Sequence, residues 1–165
     1  MPVSRILAGT LLTVTLLAAG CADVGSPGAG GETPSSPLGP AESPQKPTVT
    51  VPDGPPSDEL VIEDFVEGSG PAAAAGNTLV VHYVGVAYST GEEFDASWDR
   101  GEPFPVTLGS GGVIPGWEQG LLGMKAGGRR QLIIPPDLAY GEQGAGPAIG
   151  PNETLIFVID LVQLS

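Results

Sequence analysis

Across 165 residues the chain sets six Lys/Arg against nineteen Asp/Glu, a formal charge of −13 at neutral pH. So acidic a body is repelled by a nucleic-acid duplex, which removes nucleic acid from the expected partners. One histidine and one cysteine are too few for a zinc site built on them, and a lone cysteine forms no internal disulfide.

Met1 to Arg5 is a short basic start, and Ile6 to Leu17 is an apolar run closed by Ala18-Ala19-Gly20-Cys21. At roughly 12 residues the run is too short for a bilayer core needing about 20, so residues 1–20 read as a signal peptide. Leu17-Ala18-Ala19-Gly20-Cys21 resembles the bacterial lipobox, with Ala18 where leucine is commoner. The resemblance implies that Cys21 is acylated and becomes the mature N-terminus. The chain is then exported and held by lipid at the extracytoplasmic face of a bacterial cell membrane. Diacylation buries many methylenes at about 0.8 kcal/mol each, enough for stable anchoring. The alternative is an ordinary signal peptide ending near a free cysteine.

Residues 21–58 are dominated by Pro, Gly and Ser, as in Pro34-Ser35-Ser36-Pro37, with no apolar periodicity before Val49. Such a segment buries too little apolar surface to offset its ordering entropy, and a disordered linker is expected. As a coil it averages about 30–36 Å end to end.

From residue 59 to 165 short apolar stretches alternate with turns bearing Gly and Pro, the pattern of an antiparallel sheet. Leu60–Val66, Thr78–Val84, Phe104–Leu108 and Arg130–Ile134 read as strands, and Pro105 places the third at an edge. Thr154–Leu164 is apolar on both faces and is expected to lie centrally. Pro115–Leu122 is the one stretch that reads as a helix, with Pro115 at its start and Gly123 after its end. Strands covering one short helix make a single α+β domain.

The chemistry is narrowed by missing parts. His82 lies beside Tyr83 on an expected strand, so the two face opposite sides, and His82 reads as structural. Ser110 in Leu108-Gly109-Ser110-Gly111-Gly112 fits neither a nucleophile elbow nor a dinucleotide loop. The carboxylates Glu92, Glu93, Asp95 and Asp99 lack the spacing of a calcium loop, and Glu92 and Glu93 read as solvated turn charges. No metal or cofactor is expected.

What remains is a set of aromatics beside small turns. Val80-Val81-His82-Tyr83-Val84-Gly85, Phe94-Asp95-Ala96-Ser97, Pro103-Phe104, Val113-Ile114-Pro115-Gly116-Trp117-Glu118, Ala139-Tyr140-Gly141 and Thr154-Leu155-Ile156-Phe157 follow one another along the chain. In order and spacing they resemble the signature blocks of FKBP-type prolyl isomerases across residues 59–165. The resemblance implies a twisted antiparallel half-barrel around one short α-helix, acting on proline-containing polypeptides and a candidate for macrolide ligands. Nothing in the sequence calls for an oligomer, and a monomer is expected.

By the same resemblance the pocket is lined by Tyr83, Phe94, Asp95, Arg100, Phe104, Val113, Ile114, Trp117, Tyr140, Ile149 and Phe157, with Trp117 as its floor. Tyr83, Asp95 and Tyr140 are the residues implied to serve catalysis. Tyr140 donates to a substrate carbonyl, the Ile114 N–H binds another, and Asp95 is held by Tyr83 and Arg100. Ala145 stands where the family commonly has histidine, and Ala148 where it has a larger aliphatic residue, so a more open rim is expected. A non-catalytic module that grips proline segments is the alternative function, with much the same pocket.

Overall fold

Side chains alternate along the strand Thr78–Ala87, and that alternation sorts the domain into two faces. Leu79, Val81 and Tyr83 point into the main core, and Val84 and Val86 point to the outer face. The computed structural model describes residues 45–165. The expected signal peptide, Cys21 and the expected linker up to residue 44 lie outside them.

The strands are Val61–Val66 (β1), Ser69–Ala72 (β2), Thr78–Ala87 (β3), Glu93–Ala96 (β4), Phe104–Thr107 (β5), Lys125–Ala126 (β6), Arg129–Ile134 (β7) and Leu155–Leu164 (β8). Six of them form an antiparallel sheet in the order β1-β7-β8-β3-β4, with β5 also on β3. β8 lies between β7 and β3, as its two apolar faces require. β5 and β4 share one edge of β3, with Phe104 opposite Val81 and Ala96 opposite Val84. Pro105, which has no N–H to donate, sits on β5, whose one partner is β3. β2 and β6 form a separate ribbon that the sequence reading did not expect.

Two α-helices occur among the described residues, Ser97–Arg100 (α1) and Pro115–Gly120 (α2), beside the single 3-10 turns Pro136–Leu138 and Gly141–Gln143. One turn is too short to show periodicity, so α1 escaped the sequence reading. α2 starts at Pro115 as expected but stops at Gly120, two residues earlier than its apolar pattern indicates. Gly116 and Gly120 lie one turn apart on its sheet-facing side. A Cβ on Gly120 would come within 2.6 Å of Leu132, and one on Gly116 would overlap Ile134. Their absence lets α2 lie directly on β7.

The far end of α2 is held by Arg130, a buried β7 residue. Its Nη1 donates to the carbonyls of Gly120 at 2.8 Å and Leu122 at 2.9 Å. Its Nε and Nη2 donate to both Asp64 oxygens, at 2.6 and 2.9 Å. A guanidinium there satisfies carbonyls that the helix end leaves open and complements its dipole. The neighbouring cations are paired as well, Lys125 with Glu67 at 2.7 Å and Arg129 with Asp160 at 2.6 Å.

The outer face corrects the expected linker boundary. Val49 and Val51, assigned to the linker by composition, pack with Trp98 on Val84, Val86 and Ala96. Arg129 donates to the Gln45 carbonyl at 2.8 Å, and the Tyr88 hydroxyl to that of Pro52 at 3.2 Å. Lys46 donates to Glu93 at 2.8 Å and Asp99 at 2.6 Å. The reason lies in the sheet: its outer face is apolar too, and Pro47-Thr48-Val49-Thr50-Val51 alternates so that one side can cover it. The folded part therefore begins ahead of Glu59.

Candidate active site

Between α2 and the inner face of the sheet lies a cavity of about 190 Å³. β3 brings Tyr83 to it, β4 brings Phe94 and Asp95, β5 brings Phe104 and β8 brings Phe157. The loop ahead of α2 adds Gly112, Val113 and Ile114, α2 itself adds Trp117, and Tyr140 closes one side. Nine of the eleven expected pocket residues are thus gathered around one space.

Their packing is edge to face throughout. The Trp117 ring meets Tyr83 and Phe157, each at 5.2 Å between centroids and at 83° and 86°. Phe94 meets Phe157 at 5.6 Å and Tyr83 meets Phe104 at 6.0 Å. Perpendicular rings present positive edges to negative faces, which orders them beyond simple burial. Gly85 makes room, because a Cβ there would fall 2.6 Å from Phe94 and 2.8 Å from Phe157.

One carboxylate enters this apolar lining. Asp95 accepts from the Tyr83 hydroxyl at 2.5 Å and from Arg100 Nη1 at 2.5 Å. Arg100 Nη2 also donates to the Tyr83 oxygen at 2.8 Å, closing a three-membered network. Burial, aided by the Asp95 charge, raises the Tyr83 phenol above its ordinary value of 10.0. It therefore stays protonated at neutral pH and remains the donor to Asp95. Two donors are open: the Ile114 N–H and the Trp117 indole N–H have no hydrogen-bond partner among the described residues. The Tyr140 ring is half exposed at the rim.

Arg100 and Ile149 differ from expectation. Arg100 stands behind the wall, holding Asp95 and Tyr83. Ile149 is buried in the main core, because its backbone bonds reciprocally with Ala145, at 2.9 and 3.3 Å, and turns its side chain inward. Ala148 in the same loop is exposed. His82 lies on the outer face, stacked on Trp98 at 4.1 Å and hydrogen-bonded to Ser97 Oγ at 3.0 Å, which fits a structural histidine. Glu93 is no free turn charge, since Lys46 binds it.

Gly112 and Glu118 were given no role in the sequence reading. The Glu118 carboxylate accepts from the N–H groups of Gly109 and Gly111 at 2.5 and 2.9 Å, tying the loop that presents Ile114 to α2. The signal was available in Gly109–Gly112, a glycine run whose N–H groups need an acceptor.

Residues 70–162 match the sequence model of FKBP-type peptidyl-prolyl cis-trans isomerases. The chain belongs to that family. An FK506-binding protein of Streptomyces anulatus is 63% identical over 119 residues, covering 72% of this chain and 96% of that protein. A probable FK506-binding protein of Corynebacterium glutamicum is 50% identical over 118 residues, covering 72% of this chain and 98% of that one. Both matches are longer than the stretch from Glu59 to Ser165, so this FKBP-type domain is similar to them ahead of Glu59 too. Among solved structures, AtFKBP13 superposes with a TM-score of 0.60 at 40% identity, over 64% of this chain and 93% of that one. The expected family, fold and enzyme class are all borne out.

Proposed function

We propose that this FKBP-type isomerase is an exported lipoprotein that accelerates X-Pro rotation in polypeptides outside the cytoplasm, and that its cavity works by apolar enclosure without covalent chemistry. The observation that carries the chemical reading is the wall of perpendicular aromatics around Trp117, interrupted by one oriented carboxylate. Peptide-bond rotation meets a barrier of about 18–20 kcal/mol because resonance gives the C–N bond double-bond character. Water favours the planar, charge-separated amide by hydrogen bonding its carbonyl. A pocket that removes this water favours the twisted amide. The proline ring packs on Trp117, with the Ile114 N–H and Tyr140 hydroxyl taking up flanking carbonyls. Asp95 orients and polarises the wall and transfers no proton.

Asp95→Ala in the full chain is expected to lower kcat/KM on an X-Pro peptide, followed by exchange NMR, about tenfold, the scale of one charge-assisted interaction. The fold should persist by circular dichroism. Turnover at the native rate would remove Asp95 from the mechanism.

Export and anchoring rest on the leader and on Cys21, the one cysteine of the chain. In a bacterial host the full chain is expected in the membrane fraction with the mass of an acylated N-terminus. Cys21→Ser should lose both. A variant still pelleting with membranes would overturn the lipid anchor. Macrolides are proposed as ligands of the same cavity.

A further inference from the structure

β4 and α1 carry an unusual load of acid: Glu93, Asp95 and Asp99 within seven residues. Two cations serve them. Arg100 is held by Asp95 and Tyr83, whereas Lys46, in the strap of residues 45–58 that runs along the outer face ahead of β1, binds Glu93 and Asp99. The other cations among the described residues are committed elsewhere, to Glu67, Asp160 and Asp64. Asp99 directly precedes Arg100 in the chain. Its carboxyl is held below the ordinary carboxylate value chiefly by the hydrogen bond from Lys46, and the Arg100 charge adds to the effect. The Arg100 and Asp95 side chains are both about half exposed.

Exposed ion pairs add little stability, so Lys46 matters through the partner it leaves to Arg100. We propose that Lys46 is a positioning residue of the active site: by occupying Asp99 it reserves Arg100 for Asp95 and Tyr83, keeping the polar wall of the cavity in register. Lys46 is itself prearranged. Its neighbour Gln45 is held by Arg129, and Val49 is packed on the outer face. The strap that covers the sheet from outside thereby tunes the pocket on its inside. This inference rests on the reading that Asp95 acts in the site.

The test compares kcat/KM on an X-Pro peptide for the native full chain, Lys46→Ala, Lys46→Arg, Asp99→Asn and the double variant Lys46→Ala/Asp99→Asn. Lys46→Ala should lose about three- to tenfold, the scale of one ordinary net hydrogen bond. Lys46→Arg should retain the native rate. Asp99→Asn removes the rival carboxylate, so alone it should be near native, and in the double variant it should bring the rate back to within about twofold of native. A double variant as slow as Lys46→Ala would overturn the proposal, because a lysine that merely pins the strap is not rescued at Asp99. So would a native rate in Lys46→Ala alongside a slowed Asp95→Ala. A native rate in Asp95→Ala would instead fail the underlying reading of the site, whatever Lys46 does.

Discussion

Trp117→Ala is expected to lower kcat/KM on a proline peptide roughly 100-fold, a loss of about 2.7 kcal/mol of transition-state stabilisation. Trp117 is 4% exposed, and its ring touches Tyr83, Phe104 and Phe157 edge to face. Truncation removes the floor on which the proline ring is proposed to pack and opens the cavity to water. Water there can hydrogen-bond the substrate carbonyl and restore the planar amide. The domain should also lose about 3 kcal/mol of stability, the low end for a buried Trp→Ala change. The low end applies because the indole N–H has no partner, so deleting it relieves an unsatisfied donor. Trp117→Leu separates the terms. It keeps an apolar floor, and a loss of only about fivefold is expected from enclosure alone. Equal losses in the two variants would assign the effect to the indole N–H, and no loss in either would place the rotating bond elsewhere.

The parts legible in the sequence were those written in local pattern. The central place of β8 follows from a strand apolar on both faces, and the edge place of β5 from Pro105. The start of α2 follows from Pro115, whereas the gathering of Tyr83, Phe94, Asp95, Phe104, Trp117, Tyr140 and Phe157 was implied by the family resemblance of their blocks. What escaped depends on partners far apart in the chain. Lys46 reaches Glu93 and Asp99 across 47 and 53 residues, and no spacing rule encodes such a pair. α1 and the β2–β6 ribbon are too short to show a period. Ile149 lies in a loop, where alternation does not tell the inward side from the outward one. The strap was hidden for a different reason: its prolines and polar residues outnumber Val49 and Val51, which decide where it sits.

Removal of that strap should have the larger effect on stability. A chain beginning at Glu59 lacks Val49 and Val51, and so uncovers Val84, Val86 and Ala96, which are at most 4% exposed in the intact domain. Fully burying one such side chain contributes about 1.5–3 kcal/mol, and partial loss at several positions should cost about 3–5 kcal/mol. The ion pairs of Lys46 add little to this figure. A domain of slightly more than 100 residues should then melt roughly 12–20 °C lower, at about 4 °C per kcal/mol. It should also present an apolar strip beside the open edge of the sheet, a template for aggregation. Urea unfolding of chains beginning at Ala22, Gln45 and Glu59 makes the comparison. The first two should unfold together and the third well before them. If all three unfold together, the strap lies passively on the sheet, and the apolar outer face is stable without a cover. If the chain from Gln45 is as weak as that from Glu59, the cover extends into residues ahead of Gln45. In the expected case the folded unit starts at the strap, and any measurement of turnover made on residues 59–165 alone reports on a domain already loosened behind β4, where Asp95 is held.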